Sequence, residues 1–229
     1  MKVFAHRGFS HKFPEATRIA YQAAIDVGAD GLECDVRLTK DKEIICFHDR
    51  TIERITGKRG AISRLSTKQI KELTDAITLN ELLDLAIKNQ KDLLIETKHP
   101  VMSGGAIEKR VIALLNLRAA EISAAKINVS LMSFSYLATL RMKKRYPRVI
   151  KVIKYPLAVL IRSTRDVAID IELLRKHPGI LNRLASAQIY VWTVNSREDL
   201  RWLKKRSIEG VISDRPKRAI KILLSSRHE

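Results

Sequence analysis

Long apolar runs are missing from this chain of 229 residues. Nowhere do about 18 apolar residues follow one another, so no helix that spans a bilayer is expected. Cysteine is scarce as well. Cys34 and Cys46 cannot build a disulfide framework, and their spacing matches no metal motif. A reducing setting follows, and a cytoplasmic location is the expectation. The opening MKVFAHRGFS turns polar at His6 and Arg7, too early for the apolar stretch of a secretion signal. With only 9 glycines and 6 prolines, a collagenous or low-complexity chain is excluded. Aromatic residues make up 5% and form no nucleic-acid motif with the basic ones, so nucleic acid is not an expected partner.

What is present is a chain 45% hydrophobic, enough for one full core and short for two ordinary domains. Its formal charge is +18, unevenly spread. Residues 1–50 are balanced, 51–100 carry +2, 101–150 carry +7, 151–200 carry +3 and 201–229 carry +6. The basicity of the second half favours anionic partners, among them acidic lipid and phosphorylated metabolites.

Short apolar runs alternate with segments of helical period. Strands are expected at Val3–Ala5, Leu32–Leu38, Glu43–Phe47, Asp92–Glu96, Ile127–Met132, Val149–Ile153, Ile189–Val194 and Val211–Ser213, with Val167–Ile171 as a doubtful extra. Helices are expected from Glu15 to Val27, with Pro14 starting the first of them, and at Ser66–Leu73, Leu79–Lys88, Ala106–Ala120, Tyr136–Lys144 and Arg197–Lys205. A β-α-β rhythm of about eight units in roughly 250 residues points to an α/β fold, a closed (β/α)8 TIM barrel. A doubly wound open sheet is the alternative. No linker interrupts the chain, so residues 1–229 read as one barrel domain.

In such a barrel, catalytic side chains collect at the C-terminal ends of the strands. The ends here are His6-Arg7, Glu33-x-Asp35, His48-Asp49, Glu96-x-Lys98, Ser133-Phe134, Trp192-Thr193 and Ser213-Asp214. Glu33 and Asp35 are two apart and share a strand face. With Glu96 they offer three hard oxygen ligands suited to Mg²⁺ or Ca²⁺. The plainer alternative is a pair of solvated charges on an edge strand. Lys98 shares the face of Glu96 and suits an anion. His6 and His48 are the candidate acid and base, because imidazole exchanges protons near neutral pH. Parity sends Cys34 outward and Cys46 inward, against a disulfide. His11, His99, His177 and His228 are given no chemistry.

The segments AHRGFSHKFPEAT and GADGLECDVRLTKDKEIICFHDRTIERITGKRG, followed by LLIETKHP, LMSFS, IYVWTVN and EGVISDRP, run in one order from residue 5 to 216. In this order they resemble the glycerophosphodiester phosphodiesterase family, whose fold is a (β/α)8 barrel. The resemblance implies one divalent cation, Mg²⁺ or Ca²⁺, on Glu33, Asp35 and Glu96. It implies His6 and His48 as the acid/base pair, and Arg7 and Lys98 as holders of the substrate phosphate. Trp192 and Phe134 would line the pocket, and residues 50–75 match a small insertion that partly covers the site, with Arg54 keeping its basic position. The family reads Pro-Glu-Asn-Thr where this chain has Pro14-Glu15-Ala16-Thr17, and Ala16 cannot make the hydrogen bonds of an amide. Glu15 is either a partner supporting the site residues or simply an acid favoured at a helix start, the latter being the reading taken. The implied activity is hydrolysis of a glycerophosphodiester to sn-glycerol 3-phosphate and an alcohol. Lys143, Lys144, Arg145, Lys204, Lys205 and Arg206 fall at the far ends of helices, where they suit the helix dipole. A small soluble diester is therefore the expected substrate. A lysolipid met at an acidic membrane surface is the second reading, and a basic nucleic-acid-binding protein a distant third. Oligomeric state is not legible.

Overall fold

The computed structural model describes residues 1–99, 101, 104–161 and 163–224. Nine strands occur among them: β1 (Lys2–His6), β2 (Gly31–Leu38), β3 (Ile44–Cys46), β4 (Asp92–Thr97), β5 (Val129–Ser133), β6 (Val149–Ile153), β7 (Val167–Asp170), β8 (Ile189–Trp192) and β9 (Gly210–Ser213). Eight of them run parallel in the order β1-β9-β8-β7-β6-β5-β4-β2, and β1 pairs with β2 to close the ring. With helices outside, this is the (β/α)8 barrel that the alternation predicts.

The membership of the ring differs from the sequence reading. By pattern Glu43–Phe47 reads as one of the eight, yet β3 lies outside the barrel, antiparallel on β2 with Val36 opposite Cys46. The tight turn at Asp41-Lys42 leaves no room for a crossover, so the strand it leads into must return antiparallel. Its place is taken by β7, the doubtful strand, which bridges β6 and β8. Cys46 is corrected for the same reason. It lies in the same outer cluster as Cys34, both as free thiols, because barrel parity does not extend to a strand outside the wall.

Within the wall, strand alternation sorts the side chains. Phe4, Leu94, Met132, Ile150, Val152, Ala168, Tyr190 and Ile212 fill the barrel. Leu32, Cys34, Val36, Leu93 and Ile95 face outward, against helix residues such as Leu82, Ala86, Val111 and Leu115. Gly31 opens β2 because a Cβ there would lie 2.4 Å from the Phe4 ring.

The first helix begins at Arg18, not at Glu15. Thr17 is its N-cap, accepting from the Ala20 amide at 3.3 Å, and Pro14 belongs to the preceding turn. Capping boxes at Ser66/Gln69 and Thr78/Glu81 start the helices Thr67–Thr74 and Leu79–Lys88. The segment after β3 packs Phe47, Ile52, Ile62, Ile70 and Ala76 on Ile45 of β3 into a small core. No helix among the described residues is long and apolar enough to cross a membrane. His228 lies outside the described residues.

Candidate active site

The strand registers decide which polar residues meet. His6 of β1 stands beside Glu33 of β2, and Asp35 beside Glu96 of β4. Three neighbouring strands thus bring an imidazole and three carboxylates to one end of the barrel. Glu33 and Asp35 are 2% and 3% exposed, which excludes solvated edge charges.

Backbone geometry adds Arg7. Arg7 and Gly8 follow β1 with φ of 56° and 84°, two left-handed residues in succession. A Cβ on Gly8 would fall 2.6 Å from the backbone of Ala20, so only glycine fits. The turn carries Arg7 over β2. Its amide donates to Glu33 Oε2 at 3.2 Å, and its Nε stands 2.8 Å from Asp35 Oδ2. Lys98 Nζ lies 3.2 Å from Asp35 Oδ1 and 2.8 Å from Glu96 Oε1.

These charges shape one another. Burial resists ionisation of Asp35, but Lys98 and Arg7 prevail and hold its carboxyl down to about 2. Burial and the Asp35 charge push Glu33 well up, and they raise Glu96 to about 7 against the pull of Lys98. Asp35 Oδ2 is buried and accepts no aligned hydrogen bond in spite of its contact with Arg7. Donor atoms of His6, Glu33 and Asp35 all lie within 4.8 Å of one another. An orphaned carboxylate oxygen among buried hard-oxygen donors fits a divalent cation. Glu96 stands outside that group, paired with Lys98 but next to Asp35 in register.

Each histidine has a carboxylate behind it. His6 Nδ1 is 2.6 Å from Asp214 Oδ1, and its Nε2 is 3.9 Å from Glu33 Oε2. Asp214 in turn accepts from Ser10 Oγ at 3.0 Å and from Asn195 Nδ2 at 2.6 Å. Burial works against its charge, yet the hydrogen bond from His6 holds its carboxyl down to about 2. His48 Nδ1 meets Asp49 Oδ1 at 2.7 Å, and burial pulls its pKa down. The sequence reading noticed Ser213-Asp214 as a polar strand end without giving it a part. Its partner is 208 residues away.

Of the two readings of Glu15, the contacts favour the supporting partner over the helix-start acid. It takes both Arg54 Nη1 and Nη2, at 3.1 and 2.6 Å, and Arg7 Nη1 at 3.3 Å. Arg54 Nε continues to Asp49 Oδ2 at 2.5 Å. One chain of charged hydrogen bonds therefore ties the segment after β3 to both Arg7 and His48. Ala16, in the family's Asn position, has φ of 60°, a left-handed conformation that Asn adopts more readily than Ala.

His6, Arg7, Glu33, His48, Glu96 and Lys98 all line one cavity of 220 Å³. Phe134 and Trp192 form another part of its wall, edge to face with centroids 5.4 Å apart. Lys154, which no motif marks, also lines the cavity. His11 and His99 do not line it. His99 pairs with Glu108 at 3.4 Å.

The model of the glycerophosphoryl diester phosphodiesterase family matches residues 6–218. The chain belongs to this family. Membership makes it an enzyme, a glycerophosphodiester phosphodiesterase of the phosphoric diester hydrolases, as the resemblance implies. The protein called "Probable glycerophosphodiester phosphodiesterase 1" of Mycobacterium tuberculosis is 30% identical, over 94% of this chain and 90% of that one. The glycerophosphodiester phosphodiesterase of Thermotoga maritima shares the fold with a TM-score of 0.80 and 26% identity, covering 97% of this chain and 98% of its own. An Oleispira antarctica phosphodiesterase, solved with its product sn-glycerol 3-phosphate, superposes with a TM-score of 0.77 at 20% identity, covering 97% and 96%.

Proposed function

We propose that this family member splits glycerophosphodiesters into sn-glycerol 3-phosphate and an alcohol, with His6 and His48 as the proton-transfer pair. The observation that carries the reading is the meeting of two carboxylate-backed histidines, two cations and two buried carboxylates at one 220 Å³ cavity, with buried Asp35 paired to both cations. The product held by the Oleispira relative is of the same chemical class.

Arg7 and Lys98 neutralise the diester anion, which otherwise repels a nucleophile, and stabilise the charge that builds on its oxygens. Glu33, Asp35 and Glu96 are the residues that would hold a divalent cation, Mg²⁺ or Ca²⁺, and when bound it supplies Lewis acidity and neutralises charge. One histidine takes the proton of the attacking group, and the other gives a proton to the leaving alkoxide. Asp214 and Asp49 orient the two rings through Nδ1, so that Nε2 of each is the atom that exchanges the proton. The attacking group is water or the free glycerol hydroxyl beside the phosphate, and both routes use the same two rings.

A turnover screen of glycerophosphocholine, glycerophosphoethanolamine and related diesters, with and without chelator, tests the reading. Chelation is expected to abolish turnover, and Mg²⁺ or Ca²⁺ to restore it. Glu33→Gln and Asp35→Asn are expected to weaken metal binding in a calorimetric titration while the barrel stays folded. Undiminished turnover in excess chelator refutes the metal assignment. Absence of turnover on every diester refutes the function.

A further inference from the structure

A second cavity opens beside the catalytic one, and the hydrolysis described above does not use it. It measures about 390 Å³, against 220 Å³ for the catalytic cavity. The end of β2, the turn at Lys42, the segment after β3 and the connection after β4 enclose it. Two contacts set it next to the chemistry. Lys98 lines both cavities. Arg37, which lines the second, donates from Nε to the His48 carbonyl at 2.9 Å, and His48 lines the first.

This second cavity is cationic. Arg37, Lys42, Arg50 and Lys98 line it, and no acid among the described residues does so. The connection after β4 cannot supply one, because the sequence has no Asp or Glu from Thr97 to Ile107. Nearby carboxylates are engaged elsewhere. Asp35 and Glu96 hold the Lys98 ammonium. Asp41 accepts from Thr39 and Thr67. Asp49 accepts from Arg54 and pairs with His48. Glu43 lines a separate groove, which Lys42 also borders. Arg37, Lys42 and Arg50 are thus left without an ion pair among the described residues.

Three cations that meet no acid repel one another, and an anion between them relieves the repulsion. Buried Val36, Ile62 and Ile107 form the apolar part of the wall, where charge is screened less than in water. Guanidinium groups match phosphate oxygens two at a time, and a phosphomonoester offers three free oxygens to two guanidinium groups and an ammonium. The reaction fixes where such a phosphate is carried. The glycerol phosphate that leaves holds only the phosphate already in the catalytic cavity, so a further one belongs to the alcohol.

We propose that this cavity is a second phosphate site, which holds a phosphate group borne by the head-group alcohol of the diester under hydrolysis. The proposal rests on the hydrolase reading and names a substrate class for the same site. Overall, water supplies the hydroxyl to phosphorus in the catalytic cavity and the proton to the leaving oxygen. The products are sn-glycerol 3-phosphate and a phosphorylated alcohol, and the bonds of the second phosphate are untouched.

The test compares kcat/KM for the propanediol diester of sn-glycerol 3-phosphate with that for the same compound phosphorylated on its free propanediol hydroxyl. A hexanediol pair, measured alongside, covers a longer reach. Charge-assisted contacts should favour the phosphorylated form by roughly tenfold or more at one of the two lengths. The gain should lie in KM, since the contacts are away from the reacting atoms. Lys42→Gln combined with Arg50→Gln should remove most of the preference and leave turnover of the hydroxyl-ended diester unchanged. Both side chains are exposed, so the fold is not at risk. Equal efficiency at both lengths overturns the proposal, as does a preference that survives the double substitution. Inorganic phosphate separates a free anion from a substrate group. If it alters turnover of the hydroxyl-ended diester in the wild type and not in the double variant, while phosphorylated diesters gain nothing, the cavity serves a free anion and the proposal is overturned. If no diester is turned over, the hydrolase reading fails, and calorimetry with hydroxyl-ended and phosphorylated phosphonate analogues still decides the cavity. Equal affinities there refute it.

Discussion

Replacing Asp214 by Asn should harm the enzyme more than replacing it by Ala, although Asn is the closer relative in shape. The reason lies in Asn195. Its Oδ1 accepts from the Asp214 amide at 3.0 Å and from Ser213 Oγ at 3.1 Å, which fixes its Nδ2 toward the Asp214 side chain at 2.6 Å. An Asn at 214 must therefore turn its own oxygen to Asn195 and its NH2 to His6 Nδ1. That NH2 is a donor, so Nδ1 must accept, and the imidazole proton moves to Nε2. Nε2 then cannot take a proton from the attacking group. If His6 instead serves as the acid, the same NH2 opposes the Nδ1–H of its charged form. Ala at 214 only removes the charge-assisted hydrogen bond. Such a bond is worth about 1.5–3 kcal/mol, or roughly 10- to 150-fold in kcat. The wrong tautomer, in the analogous serine-hydrolase triad, costs about 10⁴-fold. The expected order of kcat is wild type, then Asp214→Ala, then Asp214→Asn, with KM changed little. Steady-state kinetics on a deacylated diester, alongside thermal unfolding to show that both variants are folded, measures it. Asp214→Asn turning over as fast as Asp214→Ala would refute the tautomer argument, and wild-type kcat in both would remove Asp214 from the site.

The other predictions rest on single contacts. His48→Ala should lose roughly 10²–10⁴-fold in rate with little change in unfolding midpoint. His177→Ala, which changes a residue outside the cavity, should turn over a deacylated diester at a near-normal rate; a wild-type rate in His48→Ala would force the pair to be reassigned. Gly31→Ala places a Cβ 2.4 Å from the Phe4 ring and 2.8 Å from the Asp92 carbonyl, and should cost about 1–3 kcal/mol in denaturant unfolding; unchanged stability would mean that the barrel floor yields freely. Burial resists ionisation of Glu81, but the hydrogen bonds from Lys71 and Thr78 depress its carboxyl from 4.5 to about 2. A depressed carboxyl stabilises the fold above its unfolded pKa and loses that contribution as pH falls through the folded one. The melting-point difference between wild type and Glu81→Gln should therefore be constant above pH 4.5 and vanish toward pH 2; a difference that is constant down to pH 2 would refute the sign.

Much of this protein is legible without its structure, because the deciding effects are local. Strand alternation alone puts Glu33 with Asp35 and Glu96 with Lys98, since side chains two apart share a face whatever the fold. The motif blocks carry His6, Arg7 and His48, and the βα rhythm carries the barrel. Where tertiary structure overruled the reading, the cause was non-local. Val167–Asp170 is too short to outrank Glu43–Phe47 by pattern, and only closure of the ring between β6 and β8 demands it. Glu15 reads equally as a helix-start acid or a supporting partner until the chain after β3 returns Arg54 to it across 39 residues. Asp214 meets His6 only because β9 pairs with β1, which joins the two ends of the barrel. The exposure of Leu157 and Leu160 follows the same rule. Apolar residues in a connection predict burial, and only the packed fold shows which of them it leaves uncovered.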